Sequence, residues 1–493
     1  MSMRVASILA SMVLAACSFN PNGGGASPGI DTGVIDAPGP DSAIDSSTDS
    51  SIDGPVDAAL DACVEVCVGN VIESCGAPIE TCALGCSTVG TVHCKQLLAS
   101  NGVTEADDLG GVDTDMVLME SRLYIFNTDT GEIRHFPLNG SGGGTAVRPA
   151  NTPGLDPTSK TRFRVMSQAV PANSAPAPDV AIFGMKNLTV PTTSVLRAVG
   201  GRALVLATRG AITVAGEIDV GGGRVQNAQG VASQSIAGPG GGRGAVDANP
   251  ANIAQGCAPG NNGTRPNPPN NRDTGGGGGG FGTAGGKGGP ASQTVDGGGA
   301  AVAAGMLATA CAQTNLIPLR GGSGGAAGFG GNRGGGGGGG LQLTSFASIM
   351  INGGTLYAGG AGGDGSGGPD GGGAGGAGGA ILLEAPAIAL TAGSVTATGG
   401  GGGAGVTDTN AGENGQRDGT AAQPTGNGGR GATGANGGAG EVLAADGTGD
   451  LDGTGGGGGG AGVIHFRSIS APAVSGGPII RPSQGTSTAM TTQ

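Results

Sequence analysis

Apolar residues in this chain come in short pieces cut apart by glycine and turn residues. Val180–Phe183, Leu188–Val190, Val195–Leu196, Leu204–Leu206, Ile212–Val214 and Ile218–Val220 follow one another at roughly seven-residue spacing. Upstream, "LYIFNTDTGEIRHF" predicts two strands, Leu123–Phe126 and Glu132–Phe136, around an Asp129-Thr130-Gly131 turn. No helical stripe of useful length appears, so helices are expected to be scarce.

Longer stretches repeat. "LVLATRGAITVAGEIDVGGG" at Leu204, "LQLTSFASIMINGGTLYAGG" at Leu341 and "ILLEAPAIALTAGSVTATGG" at Ile381 align to within about a residue, and "VIHFRSISAPAVSGG" at Val463 is a degenerate fourth copy. Each copy holds three short strands followed by glycines. One such rung cannot bury its inner face, but stacked rungs create a continuous thin core. The expected fold is all-β: a parallel, β-helix-like β-solenoid over residues 113–480, with Gly-rich excursions. The longest excursions lie at about 221–340 and 399–462. Two states are open to them. They are solvated loops, or they pack as extended glycine helices whose bare backbones approach and exchange N–H···O=C bonds. The tract "GGGAGGAGGA" (Gly371–Ala380) suits the second.

Composition sharpens this picture. Of 493 residues 113 are Gly, about three times ordinary usage. No strict three-residue period holds along the chain, so it is not collagen-like. There is no Trp and only two Tyr, so an aromatic-rich core is excluded. The net charge of −13 argues against a nucleic-acid partner.

The N-terminus reads as an address. Arg4 precedes an apolar run, Val5–Ala16, too short to span a bilayer. Leu14-Ala15-Ala16-Cys17 resembles a bacterial lipobox. That resemblance implies a signal peptide over 1–16, lipidation of Cys17, and an outer-membrane or cell-surface location with the membrane as partner. Each buried CH₂ of such an anchor contributes ~0.8 kcal/mol. Residues 17–62 then predict a disordered tether. Aspartates recur at 41, 45, 49, 53, 57 and 61 among Ser, Ala, Gly and Pro, and like charges four apart repel.

Eight cysteines remain. Cys63, Cys67 and Cys75 repeat as Cys82, Cys86 and Cys94 with a period of 19, a duplicated module over 63–100. So small a module needs covalent staples, although the pairing is open. Cys257 and Cys311 flank a Gly-rich insertion and predict a further disulfide. Residues 481–493 predict a disordered tail.

The lipobox, the Asp-rich spacer, "CALGCS…HC…LLASNGV", "LRAVGGRALVLA", "LIPLRGGSGG" and "GGAILLEAP" together resemble glycine-rich cell-surface lipoproteins of the kind encoded in many copies by myxobacteria. That family has no established activity to carry over. The Gly tracts are similar in composition to mycobacterial PE-PGRS proteins, whose N-terminal PE helical domain is missing here.

Catalytic motifs are weak. "GGSGG" (Gly321–Gly325) matches a nucleophile elbow in letters but lacks the strand and helix around it. "FGTAGGKGG" (Phe281–Gly289) imitates a phosphate loop but has Phe281 for the first Gly and Gly288 for Ser/Thr. "GGAGGDGSG" (Gly359–Gly367) fits a calcium β-roll at its glycines and at Asp364, with Ser366 where a large apolar residue belongs. Asp364 is thus a weak calcium candidate; no other cofactor or metal site is expected. His93, His135 and His465 lie far apart. The leading expectation is a non-catalytic surface lipoprotein with a structural, adhesive or matrix-contact role, touching extracellular polysaccharide or other envelope components. The alternatives are a lyase-like β-helix enzyme acting on polysaccharide, with Arg122, Arg134, Arg197, Arg202, Asp219 and Arg224 gathered on one outer face, and a calcium- or glycan-binding module.

Overall fold

The computed structural model describes residues 64–487, apart from positions 83, 96, 139–142, 173–174, 224–232, 266–272, 291–310, 312–313, 367, 369, 406–432, 440–441 and 449–452. The lipobox with Cys17, the aspartate tether, Cys63 and Arg224 lie outside the described residues.

Short apolar pieces become short strands, and nearly all regular elements of the described chain are strands. Three sheets dominate, and successive strands are dealt to them in turn. The first sheet collects Val180–Met185, Ala203–Thr208, Gly340–Ser345, Ala380–Glu384 and Val463–Arg467. The second collects Leu188–Val190, Ile212–Val214, Ser348–Asn352, Ala387–Thr391 and Ala473–Ser475. The third collects Val195–Val199, Glu217–Asp219, Thr355–Tyr357, Ser394–Thr396 and Ile479–Arg481. All these neighbours pair in parallel.

Register puts like side chains over like. Phe183, Leu206, Leu343, Leu383 and Phe466 form one ladder in the first sheet. Val190, Val214, Ile351 and Leu390 form one in the second. Leu196, Ile218, Leu356 and Val395 form one in the third. A single apolar cluster contains all three ladders. Each fully buried Leu or Ile contributes roughly 2 kcal/mol. The copies at Leu204, Leu341 and Ile381 are in register as the sequence aligns them, whereas Ile464, not Val463, sits opposite Ile381. Val180–Val199 is a further copy that the alignment of letters passes over.

The two faces of each sheet differ. In the second sheet Ile349 and Ile351 are buried while Met350 is exposed, the alternation of a half-solvated sheet. The first sheet is buried on both faces over most of its length. Its outer residues Val180, Ile182, Val205 and Leu382 pack against Val103, Leu109, Val112 and Phe281. Part of that cover is a short helix, Glu105–Leu109, capped by Thr104, whose side chain accepts a hydrogen bond from the Asp107 amide.

The predicted hairpin forms as Arg122–Asn127 and Ile133–Pro137, antiparallel, at the start of the third sheet. Ahead of these sheets, Glu65–Val68, Val71–Ser74 and Ala77–Thr81 make a small antiparallel sheet around Ile72, Cys82 and Cys86. The expected disorder from 481 needs correcting. Arg481 ends a strand, and Gly485–Ser487 pairs in parallel with His465–Arg467. The open backbone edge of that strand accepts a partner with no apolar side chains, so composition did not reveal it.

Candidate functional site

Every long glycine excursion leaves after a third-sheet strand, at Asp219, Tyr357 or Thr396, and re-enters at a first-sheet strand, at Gly340, Ala380 or Val463. What lies between is ordered wherever it is described. Residues 371–379 show the rule. The amides of Gly371, Ala374 and Ala377 donate to Phe329, Ala326 and Ser323; those of Gly372, Gly375 and Gly378 donate to Thr454, Gly457 and Gly460; those of Gly373, Gly376 and Gly379 donate to Asp364, Ala361 and Ala358, all at 2.7–3.0 Å. A period of three with no internal bonds is the polyproline II geometry, in which successive residues point about 120° apart. None of these glycines has positive φ, which matches that left-handed helix.

The same segment accepts bonds from three more. Gly276 and Gly279 donate to Gly372 and Gly375, Gly335 and Gly338 to Ala374 and Ala377, and Gly400 and Gly403 to Gly376 and Gly373. One glycine helix is therefore bonded to six others, a hexagonal lattice. Backbone amides that would be unsatisfied in a dry interior are all spent on neighbours.

Such closeness requires the missing side chains. A Cβ at Gly375 would stand 2.0 Å from the Gly400 carbonyl oxygen, and one at Gly459 would stand 2.0 Å from that of Gly376. Where three-fold geometry leaves room, alanine appears: Ala374, Ala377 and Ala380 are all buried, and the last two pack with Phe281. The Ala period of three in "GGGAGGAGGA" is thus the sequence signal of the helix.

A buried polar cluster fastens the covering segment to the first sheet. Glu384, wholly buried, accepts from the Ser100 amide at 3.0 Å, the Ser100 hydroxyl at 2.5 Å, Gln342 Nε2 at 2.8 Å and Thr344 Oγ1 at 3.3 Å, and it pairs with Arg467. Asn101 Nδ2 donates to Gln342 Oε1 at 2.8 Å. Burial pushes the Glu384 carboxyl above its ordinary value, against the pull of Arg467 and of the Ser100 and Thr344 hydrogen bonds.

The candidate residues scatter. Cys67 pairs with Cys86, Cys82 with Cys94 and Cys257 with Cys311; Cys75 is also disulfide-bonded. Of the candidate outer-face charges, Asp219, Arg197 and Arg134 share one row of the third sheet, with Tyr357 beyond Asp219 and Ile125 between the arginines. Asp219 is buried and already held by Arg197 Nε at 3.3 Å and the Gly221 amide at 2.9 Å. Arg122 alternates to the other face of its strand. Arg202 lies outside the row, against Asp129 at 3.2 Å and Asp179 at 3.8 Å. Ser323 of the false elbow is buried in the lattice, its hydroxyl accepting from the Ala258 amide at 2.9 Å. Lys287 of the false phosphate loop bonds through its amide to Asp446 Oδ1 at 2.7 Å.

His93, His135 and His465 belong to three different sheets. Asp364 sits in a lattice segment, its amide donating to the Arg333 carbonyl and its own carbonyl accepting from Gly373. Burial raises its carboxyl above the usual value, opposed by Arg333. Among the described residues no group of three His, Cys, Asp or Glu side chains is placed to hold a metal ion.

Asp273 and Asp370 meet where two glycine segments begin. Arg265 holds Asp273 with two bonds at 2.7 and 2.8 Å and lies 4.7 Å over the Phe329 ring. Burial, a hydrogen bond with Asp273 and repulsion from its charge push the Asp370 carboxyl above 3.8, while Arg265 opposes. The folded chain therefore keeps a proton here that the unfolded chain releases above 3.8. This group adds stability as pH falls from above its folded value toward 3.8, and the gain is lost as pH rises through that folded value. Asp370→Asn, neutral at every pH, lacks the gain. From about pH 7.5 down to about pH 4.5 the urea midpoint of the natural chain should rise relative to that of the variant; an unchanged gap between the two chains would refute the shifted carboxyl.

Comparison with protein-family models, with curated proteins and with solved structures finds no match.

Proposed function

We propose that this chain is a non-catalytic surface lipoprotein of the glycine-rich myxobacterial kind, anchored in the outer membrane through Cys17, whose body is a structural or adhesive element contacting the extracellular matrix. In this reading the three sheets are the walls of a parallel β-solenoid, and the glycine lattice is a slab carried along one of its corners. The observation that carries it is the hexagonal bonding around residues 371–379. A lattice whose helices touch backbone to backbone offers rigidity and almost no functional side chains. That is what a spacer or contact surface needs and a poor setting for catalysis.

The lyase-like alternative has less support. Its best carboxylate, Asp219, is buried and paired with Arg197, and the sugar-stacking aromatic surfaces such enzymes use call for residues this composition scarcely holds. Anchoring rests on a lipid rather than a span; among the described residues no helix is long and apolar enough to cross a membrane.

The test is Cys17→Ala. The variant should leave the membrane fraction for the soluble fraction, and the natural chain should be accessible to protease on intact cells. Unchanged membrane fractionation would defeat the anchor. An experimental structure in which the three sheets enclose separate cores would defeat the solenoid.

A further inference from the structure

The third sheet is handed on from rung to rung through one position. The Val220 amide donates to the Tyr357 carbonyl, the Ala358 amide to that of Thr396 and the Ala397 amide to that of Arg481, each at 2.8 Å. Register places Val220, Ala358 and Ala397 in one column, one residue past the paired Asp219, Tyr357, Thr396 and Arg481. The next member of that column is Pro482. Proline has no N–H, so the donor that ties each rung to its successor is missing there.

Two more prolines mark the same rung. Pro472 precedes the strand Ala473–Ser475, and Pro478 precedes Ile479–Arg481. The bonds to the rung before show which way the backbone points. The Ala392 amide donates to the Ser475 carbonyl at 3.0 Å, and the Ile479 amide donates to the Gly393 carbonyl at 2.9 Å. Ser475, Ile479 and Arg481 thus face back into the stack. Successive residues of a strand turn their peptide groups to opposite sides. Pro472, Pro478 and Pro482 therefore share the side that faces away, along with Val474 and Ile480. At the matching positions the rung before carries Ile388, Gly393 and Ala397.

Among the described residues Ala473–Ser475, Ile479–Arg481 and Gly485–Ser487 each end their sheets. Val474 is 49% exposed, whereas Leu390, its partner in the rung before, is buried. Such an edge offers N–H and C=O groups to any strand of matching register, and a second copy of this chain carries the same edge. We propose that Pro472, Pro478 and Pro482 form a stop that bars a second copy from pairing strands with this end of the stack. Each proline removes a donor where an incoming strand needs one, and its ring stands in the path. Ile480 is left alone between two prolines, too short a run to hold a partner strand. The stop acts whether or not the chain is anchored at a surface.

Sedimentation velocity on the purified full-length chain tests this, with Cys17→Ala in every sample so that no lipid drives association. This parent chain should stay monomeric as its concentration rises. Restoring the residues of the rung before, by Pro472→Ile with Pro478→Gly and Pro482→Ala, should raise the weight-average mass about twofold or more at micromolar concentration. Pro482→Ala alone trims only ring atoms and should self-associate measurably, though less than the triple variant. It decides the matter by itself where the triple variant loses the circular dichroism of the parent. Hydrogen exchange locates the contact: amides within 473–481 should gain protection in the assembled variants. Folded variants that stay monomeric, self-association of the parent through 473–481, or assembly of the variants without added protection there would each overturn the proposal.

Discussion

Gly375→Val collapses the glycine lattice and costs the fold about 4 kcal/mol or more. Gly375 lies in the segment bonded to six others. A Cβ there would meet the Gly400 carbonyl oxygen at 2.0 Å, its carbon at 2.5 Å and the Gly459 amide nitrogen at 2.9 Å. All three are backbone, so no side chain can swing aside. Relief requires two helices to part, and parting them breaks the bonds from Gly375 to Gly457 and from Gly400 to Gly376. The neighbour supplies the control. Ala374→Gly removes a methyl that already fits and frees the backbone, for a loss of about 1–2 kcal/mol. Denaturant midpoints and limited proteolysis of the two variants decide the matter. Natural-like stability in Gly375→Val would mean that the segments are not in contact.

Arg467→Met is expected to cost about 3–5 kcal/mol, because it strands the Glu384 carboxylate in a dry interior. Glu384 has no exposed surface, and its remaining partners, Ser100, Gln342 and Thr344, are neutral. The loss should appear first where the covering segment meets the sheet, since Ser100 and Glu384 are far apart in sequence and meet in this cluster. Protease sensitivity near Ser100 would report it. Adding Glu384→Gln should restore much of the stability, because an uncharged amide needs only hydrogen bonds there. A double-mutant cycle with no coupling between the two positions would show that the pair is not interacting.

The periodicity of the apolar pieces made the β character and the copies at Leu204, Leu341 and Ile381 readable, because side chains that must share a core recur at matching offsets. The turn at Asp129-Thr130-Gly131 was readable for a similar local reason. The state of the glycines was left open between two possibilities, and the clue that resolved it, alanine every third residue from Ala374 to Ala380, is short and lies within one arm. Glu384 carried no signal of its role in "ILLEAP", since only the fold lays the Ser100 segment over it.

Local chemistry therefore settled which segments extend, where they turn and how the apolar ladders line up, since period-two burial and bare glycine backbones are properties of neighbours along the chain. Which glycine segment bonds to which, and what covers the outer face of the first sheet, were decided only by the folded whole. Backbone hydrogen bonds carry no letter code. A glycine segment is chemically indifferent among its partners until the β strands on either side of each excursion fix where it must leave and return.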